Sequence, residues 1–316
     1  MRNRRFILGI DQGSTHTRAV ICDSAGVILG LGKTFGACHS IDGMERAMKA
    51  VAEAAQMARE AAKVDSNQIE LLFGGLTGAD WRDEYDLLTE NLEMLQLANQ
   101  VRVVNDSIIA LRGGTQASYG AILIAGTGAN CAILSPSGES YIYHYYVDDY
   151  LQGGTGLGRS ALWTIYRAET GREVQTKLTE AVLEALEFAS VDELLRAQAE
   201  RRLPHDRVKE LAPLIFRLAK EGDFAAQKII RAFGVGLAEL VTAGFRRFSM
   251  REIDVEVVLS GSIFKGPGTL LQDTIQAEIQ RDAPHARLVN SRYEPVVGAM
   301  ILGLEACGVE IDPSVG

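Results

Sequence analysis

The sequence predicts an α/β protein whose two halves form packed lobes around a cleft. Three observations lead to this prediction. Strand-like and helical runs alternate in the first half, a hairpin pattern from the start of the chain recurs later, and no low-complexity linker separates the halves. Alternating strands and helices imply parallel strands joined by crossover helices.

The first half opens with three apolar runs that predict a three-stranded meander, at residues 6–10, 17–22 and 27–32. Residues 43–63 carry Met, Val and Ala at helical spacing and predict a helix. Further along we expect a strand, a helix and a strand, at residues 71–76, 80–99 and 101–104. Meander and crossover together predict a mixed sheet.

The second half begins with another hairpin pattern at residues 119–146, and residues 159–247 are mostly helical. We then expect a strand, a helix, a short strand and a closing helix, at residues 255–259, 269–281, 286–289 and 294–307. Pro295 suits the first turn of the closing helix, where its missing N–H would have no helical partner.

The two hairpin patterns predict phosphate binding. In each, a turn of Gly, Ser and Thr residues lies between two apolar runs, and a second turn follows, at residues 23–26 and 135–138. Backbone N–H and hydroxyl groups in such turns bind phosphate oxygens, and Asp11, just before the first turn, is suited to a hydrated Mg²⁺. The candidate phosphate-binding residues are Asp11, Gly13, Ser14, Thr15 and Thr17 in the first copy and Gly126, Thr127 and Gly128 in the second. One copy alone would suit an ordinary Asx-type turn; the second copy favours phosphate.

A candidate general base follows the strand at 101–104. Residues 105–107 are Asn, Asp and Ser, at a strand end where side chains project toward a ligand. Asp106 is therefore suited to accept a proton from a substrate hydroxyl. The alternative is a helix N-cap at Asp106 or Ser107, and neighbouring residues can hold the two roles.

Gly261 and Ser262 form a further candidate nucleotide contact, because they lie between a buried strand and a helix. Glycine permits close approach of adenosine or phosphate, and a helix N-terminus favours anions. Such turns are frequent in α/β proteins, so the motif is weak alone.

Composition limits the partners. The 316-residue chain has a net charge of −9, which argues against nucleic-acid and anionic-membrane surfaces. No apolar run approaches the roughly 18 residues of a membrane span. Residues 2–5 lead into a strand pattern without a cleavage site, and the four cysteines are dispersed. We expect a cytoplasmic protein with reduced thiols and neither disulfides nor zinc.

The ordered set of motifs resembles the BadF/BadG/BcrA/BcrD ATPase family of the acetate and sugar kinase, Hsp70 and actin superfamily, and within it the N-acetylglucosamine kinases. The resemblance extends from Ile7 to Gly303. The matching segments are the first phosphate motif, the catalytic-base motif, the second phosphate motif, the adenosine motif and the start of the final helix, at residues 11–17, 103–106, 126–128, 258–264 and 294–299.

The resemblance implies a two-lobed actin-like ATPase fold, with a ribonuclease-H-like mixed sheet flanked by helices in each lobe. The lobes would comprise residues 1–114 plus 294–316, and residues 115–293. It implies ATP and Mg²⁺ as cofactors, a small-molecule sugar as substrate with N-acetylglucosamine first, and a homodimer. Asp106 would be the catalytic base.

The sugar-binding side departs from the family pattern. Relatives carry an Asn after the first meander, where this chain has residues 36–40, so His39 and Ser40 are the candidates. Relatives also carry a Gly-Asp-Glu-Gly-Ser run whose acid binds sugar; here Asp148 or Asp149 would take that place. Asn105 completes the candidate substrate-binding set.

Two other function classes stay open. One family branch activates partner enzymes and carries an iron–sulfur cluster, but residues 154–156 lack the cysteine which that branch needs. An ATPase that activates or regulates a partner without a sugar acceptor therefore remains the alternative. A non-catalytic ATP-binding protein is disfavoured by the presence of Asp106.

Overall fold

The protein was analysed as a computed structural model, and the structure describes residues 5–310. Residues 1–4 and 311–316 lie outside the described residues. Part of the N-terminal prediction for residues 2–5, and the end of the segment 294–316 assigned to the first lobe, therefore fall outside them.

The first sheet combines the predicted meander with the predicted crossovers. Its strands are β1 (Phe6–Gln12), β2 (His16–Asp23), β3 (Ile28–Phe35), β4 (Ile69–Leu76) and β5 (Gln100–Asn105). Their spatial order is β3-β2-β1-β4-β5. β1 and β2 are antiparallel, as are β2 and β3, whereas β1, β4 and β5 are parallel. The sheet is mixed, as predicted.

The second sheet repeats this strand order. Its strands are β6 (Gly120–Ala125), β7 (Ala129–Leu134), β8 (Ser140–Ile142), β9 (Val255–Ser260) and β10 (Ala286–Asn290). The spatial order is β10-β9-β6-β7-β8, so in each sheet the first strand lies between the second and the fourth. Each predicted phosphate hairpin thus joins the first two strands of a sheet. Two five-stranded mixed sheets flanked by helices confirm the predicted fold class.

The helices lie between and after the strands. They are α1 (His39–Asp42), α2 (Met44–Ala62), α3 (Arg82–Met94), α4 (Asp106–Gly114), α5 (Gly153–Glu169), α6 (Lys177–Leu186), α7 (Val191–Ala199), α8 (His205–Lys209), α9 (Ala212–Lys220), α10 (Phe224–Arg247), α11 (Leu270–Asp282) and α12 (Pro295–Ala306). Among the described residues, none of the helices has the length and apolar content needed to cross a bilayer.

One predicted helix is shorter than expected. The helix expected at residues 80–99 is α3, which ends at Met94 because Gln96 adopts a left-handed backbone with φ of 52°. The Asn99 N–H then donates to the Ile69 carbonyl at 2.9 Å, which aligns the chain for entry into β5. Helical periodicity continues through this segment in the sequence, but the strand pairing ends the helix.

Helices cover both faces of the first sheet. On one face α2 presents small apolar residues, including Ala50, Val51 and Ala54, to a core that contains Leu8 and Ile10. On the other face, the closing helix α12 and Ile109 of α4 pack against the sheet in a separate apolar cluster. This packing makes the sheet a rigid support for the residues at its strand ends.

The chain divides into two compact units. The first comprises Met1–Ile122, Ala132–Ile142 and Val289–Gly316, and the second comprises Leu123–Cys131 and Tyr143–Leu288. The closing helix α12 belongs to the first unit and packs on the first sheet. The lobe boundaries expected from the resemblance stay a prediction.

Candidate functional site

The carboxyl ends of three parallel strands lie level at one edge of the first sheet. Gln12 pairs with Leu76, and Leu76 pairs with Asn105. The Thr77 N–H donates to the Gln12 carbonyl at 2.8 Å. This register brings the residues around Asp11, Thr77 and Asp106 to the same edge, and they come from widely separated parts of the sequence.

Asp11 is a buried carboxylate held by arginine. It is 7% exposed, and a guanidinium nitrogen of Arg18, its cross-strand partner, lies 3.4 Å from its Oδ2. The other terminal nitrogen of Arg18 lies 3.3 Å from a carboxylate oxygen of Glu294, just before α12. Burial raises the pKa of Asp11 to about 6, although Arg18 lowers it.

The first phosphate turn presents some of its predicted residues and buries another. The Gly13 N–H donates to the His16 carbonyl at 3.0 Å, which closes the turn and leaves Ser14 and Thr15 exposed at its tip. Thr17 is fully buried, and its hydroxyl has no hydrogen-bond partner within residues 5–310. The tip therefore offers hydroxyls to a ligand, whereas Thr17 faces the interior.

Asp106 is the first residue of α4 and is partly exposed. Burial of its carboxyl group, together with the nearby carboxylates of Asp11 and Asp80, raises its pKa to about 7. The Ser107 backbone and the Thr77 hydroxyl hydrogen-bond its carboxylate and act in the opposite direction. Asp106 is thus a partly exposed residue whose carboxylate has a pKa near neutrality, which suits general-base catalysis.

Asn105 is the N-cap of α4, so Asp106 is not needed for that role. Its Oδ1 accepts from the Ser107 N–H at 2.9 Å and also from the Ser107 hydroxyl. Its Nδ2 donates to the Ala79 carbonyl at 3.1 Å and to Asp80 Oδ1 at 2.9 Å. These four bonds satisfy every donor and acceptor of the Asn105 amide, and the residue is only 2% exposed. The role of Asn105 in this geometry is therefore structural.

His39 and Ser40 lie in α1, against the turn that follows β4. The neighbouring Cys38 thiol points toward the Thr77 carbonyl at 3.8 Å. The His39 side chain is 8% exposed, with its Nε2 3.7 Å from a Glu84 carboxylate oxygen, whereas Ser40 is exposed. Of the two predicted contacts, Ser40 is the one open to solvent.

The second unit holds the second hairpin against the start of α5. The Gly126 N–H donates to the Gly128 carbonyl at 2.9 Å, and the Gly154 N–H donates to the Gly126 carbonyl at 2.8 Å. Gln152 Oε1 accepts from the Ala129 N–H at 3.4 Å. The Gly154 N–H at the start of α5 is therefore hydrogen-bonded to the hairpin, and this bond anchors the hairpin to the helix.

Gly261 and Ser262 lie beside this hairpin. Gly261 has a φ of 108°, and a side chain there would overlap the Ala125 carbonyl at the end of β6, so glycine is required. A cavity of about 400 Å³ opens beside the turn. Its lining includes Gly126, Thr127, Lys209, Glu210, Pro213, Phe216, Ser262 and Lys265. The Lys209 ammonium is paired with Asp206 at 2.6 Å, so Lys265 is the basic group of the lining that suits a phosphate, and the apolar walls suit a nucleoside.

Asp148 and Asp149 are exposed residues of the second unit. They begin a short turn in which the Leu151 N–H donates to the Asp148 carbonyl at 2.9 Å. Their predicted role in sugar binding stays a prediction.

A family model matches residues 8–303, nearly the whole chain, and its description is the BadF/BadG/BcrA/BcrD ATPase family. The chain belongs to this family. The resemblance inferred from the ordered motifs is confirmed.

Named relatives of this ATPase family member are kinases of amino sugars. The chain is 27% identical to the N-acetyl-D-glucosamine kinase of Dictyostelium discoideum, over 96% of this chain and 99% of that protein. It is 22% identical to the N-acetylmuramic acid/N-acetylglucosamine kinase of Clostridium acetobutylicum, over 74% of this chain and 76% of that protein. A crystal structure from Chromobacterium violaceum, described provisionally as an N-acetylglucosamine kinase, has a TM-score of 0.65 at 22% identity, over 95% of this chain and 99% of that one. The last likeness confirms the fold.

The donor groups of this family member fit Mg²⁺ carried by a nucleotide. In the described part of the chain, no cluster of three or more His, Cys, Asp or Glu side chains is arranged to hold a metal. Mg²⁺ commonly takes one or two protein carboxylates and completes its shell with phosphates and water. Asp11, a single buried carboxylate beside the first phosphate turn, suits that mode.

Sequence reasoning missed the cavity-lining residues of α8 and α9. Lys209, Pro213 and Phe216 lie in the long helical region, which carries no nucleotide motif. They reach the cavity through helix packing, and no local pattern would have identified them. Arg18 was also not predicted, although the register of the first hairpin places it directly across from Asp11.

Proposed function

We propose that this protein is an ATP-dependent sugar kinase that acts on an amino sugar, with N-acetylglucosamine as the leading acceptor. The observation that carries the proposal is Asp106, a partly exposed carboxylate at the carboxyl edge of the first sheet, with its pKa raised to about 7. The named relatives are amino-sugar kinases, which supports the acceptor class.

Asp106 acts as the general base. It accepts the proton of the acceptor hydroxyl while that oxygen attacks the γ-phosphorus of ATP. The new oxygen–phosphorus bond forms as the bond from the γ-phosphorus to the bridging oxygen breaks, and ADP leaves with that oxygen. Because Asn105 supplies the N-cap, Asp106 is available for the proton.

ATP would be held by two sets of groups. Gly13, Ser14 and Thr15 contact phosphate oxygens through N–H and hydroxyl groups, with Thr17 supporting the turn from within. In the second unit, Gly126, Thr127, Gly128, Gly261 and Ser262 serve the nucleotide, supported by the cavity beside them. Asp11 holds Mg²⁺, whose charge would neutralise the phosphates. Arg18 keeps the Asp11 carboxylate in place.

The acceptor assignment includes Ser40, His39, Asn105, Asp148 and Asp149, with Asn105 acting indirectly because its amide is fully bonded. We further propose lobes at residues 1–114 plus 294–316 and at 115–293, a homodimer, and a cytoplasmic location. The net charge of −9 supports a protein without nucleic-acid or membrane partners.

The decisive experiment is a coupled ADP-release assay over a panel of hexoses and N-acetylhexosamines. We expect N-acetylglucosamine to stimulate ADP release, and Asp106→Asn to reduce that release by about a thousandfold or more while ATP binding persists. Asp83→Asn, which changes an exposed carboxylate of α3, is the matched control and should behave as wild type.

Two results would contradict this function. ADP release without dependence on any sugar would favour an ATPase that activates or regulates a partner. Full sugar-dependent activity in Asp106→Asn would remove the assigned base.

A further inference from the structure

We propose that Gly36 is a positioning residue for ATP. Because it has no side chain, the chain that follows β3 packs against the first phosphate turn and fixes the backbone of that turn before the nucleotide binds. This proposal rests on the ATP binding of the proposed function and deepens it. It gives a role to a residue that neither the acceptor assignment nor the nucleotide assignment uses.

Gly36 lies directly against the tip of the first phosphate turn. The pairing of β2 with β3 reaches His16 and Phe35, so the next residue along the chain, Gly36, comes beside Thr15. The Gly36 N–H donates to the Thr15 carbonyl at 3.0 Å. This bond occupies a carbonyl oxygen, a group that would repel a phosphate oxygen if it faced one.

A side chain does not fit at Gly36. A Cβ atom there would lie 2.4 Å from backbone atoms of both Ser14 and Thr15. Carbon atoms in ordinary contact are about 3.5–4.0 Å apart, so a larger residue would require a displacement of roughly 1 Å or more. Glycine is the residue that permits two backbones to approach so closely.

The segment that carries Gly36 is fixed by the residues that follow. Ala37 is fully buried in the apolar core on the α2 side of the sheet. Cys38 is 4% exposed, and its N–H donates to Asp42 Oδ2 at 2.8 Å. Its thiol packs against the turn after β4, where a Cβ atom on Gly78 would lie 2.7 Å from the sulfur. The segment therefore has little room to yield to a side chain at Gly36.

The displacement caused by such a side chain falls on the phosphate turn. Ser14 and Thr15 are exposed at its tip, and they are the residues proposed to contact phosphate oxygens. A misplacement of about 1 Å in a positioning group can reduce a rate about 100-fold. Conversely, a turn whose backbone is fixed in advance loses little conformational freedom when it binds ATP.

The first test compares two glycine substitutions with different neighbours. Gly36→Ala should weaken the binding of a non-hydrolysable ATP analogue with Mg²⁺ about 10- to 100-fold in calorimetry, and raise the ATP KM by a similar factor. The matched control is Gly303→Ala in α12, where a Cβ atom would lie 2.5 Å from Ile7 Cγ2 in the core. The control should lower Tm but bind the analogue as wild type does.

Two outcomes of this comparison would overturn the proposal. If Gly36→Ala lowers Tm but leaves analogue binding unchanged, the role of Gly36 is only structural. If both variants weaken analogue binding by the same factor, the effect follows from lost stability and not from the phosphate turn.

The second test uses the wild-type chain and needs no substitution. The Gly36 N–H is hydrogen-bonded to the turn, so amide hydrogen exchange followed by NMR should show it protected about tenfold or more without nucleotide, relative to an unstructured chain. Protection that develops only when the ATP analogue is added would mean that the nucleotide orders the turn. That result would overturn the proposal even if Gly36→Ala did not fold.

The kinase function and the role of Gly36 can fail separately. If wild type phosphorylates no sugar, but Gly36→Ala weakens analogue binding more than Gly303→Ala does, the kinase function fails and the positioning role stands. If wild type phosphorylates a sugar and Gly36→Ala binds the analogue as wild type does, this inference alone fails. Wild type that does not bind the analogue would overturn both.

Discussion

The pKa of Asp106 results from opposing effects of its surroundings. Burial of its carboxyl group and the nearby carboxylates of Asp11 and Asp80 disfavour the charged form, yet the Ser107 backbone and the Thr77 hydroxyl favour it. The balance raises its pKa to about 7, well above the ordinary range of aspartate. A base with this pKa is both substantially ionised and a competent proton acceptor near neutral pH.

We predict that sugar kcat/KM falls as pH decreases through about 7. Asp106 must be ionised to accept the proton, so its raised pKa moves the loss of activity upward from the region near pH 4. Below the pKa the decline should be about tenfold per pH unit. Rate profiles between pH 5 and 9 check this.

Thr77→Val is the matched variant for this profile. It removes a hydrogen bond that lowers the pKa of Asp106, so the acidic limb should move to higher pH. A profile that is flat down to pH 5 in wild type would contradict the assignment of Asp106 as the titrating base.

At the scale of elements, the level ends of β1, β4 and β5 determine which residues meet. The closing helix α12 supports this sheet and crosses α4 at very close range. A side chain at Gly298 would overlap the Ile109 carbonyl and would lie 2.7 Å from the Gly113 nitrogen. Only a hydrogen atom fits there, so this contact holds the helix that begins with Asp106 against the closing helix.

We predict that Gly298→Ala destabilises the protein by about 1–3 kcal/mol, because the added methyl group forces the two helices apart. Chemical denaturation with an unchanged m value would measure this loss. The matched variant is Gly113→Ala on the facing helix, where the added carbon would lie 3.3 Å from the Glu294 carbonyl oxygen. Gly113→Ala should lower the free energy of unfolding by clearly less than Gly298→Ala does. Equal effects of the two changes would show that the crossing is looser than described.

At the scale of the whole chain, two five-stranded sheets have the same strand order, and in each a glycine-containing hairpin joins the first two strands. The hairpin pattern that occurs twice in the sequence thus reflects a strand topology that occurs twice in the structure. The two hairpins differ chemically, since Asp11 has no carboxylate counterpart in the second turn.

We predict that a non-hydrolysable ATP analogue with Mg²⁺ raises Tm. Binding to the native state alone adds about 2.7 kcal/mol at a ligand concentration 100 times Kd. Thermal melts should show a smaller shift without Mg²⁺, and a similarly reduced shift in Asp11→Asn with Mg²⁺ present. An identical shift in Asp11→Asn and wild type would contradict the assignment of Asp11 to the metal.

Much of the architecture was readable because it depends on local pattern. Apolar runs, turn residues and the Ala-rich helix predicted the meander, the crossovers and the closing helix. Helix α3 was overestimated because periodicity does not reveal where strand pairing, here through Asn99 and Ile69, ends a helix. The short helix α1 has too few residues for a periodic signal.

The sequence by itself determined the family, the strand order of the hairpins and the candidate base, because adjacent residues encode strands, turns and the motif at 105–107. Only the tertiary structure decided which role each of these residues has. It made Asn105 the cap of α4, left Asp106 partly exposed, buried Thr17, and placed Phe216 at the cavity beside the second hairpin. The reason is physical: burial and long-range hydrogen bonding arise from sheet register and helix packing between distant segments, which no local pattern records.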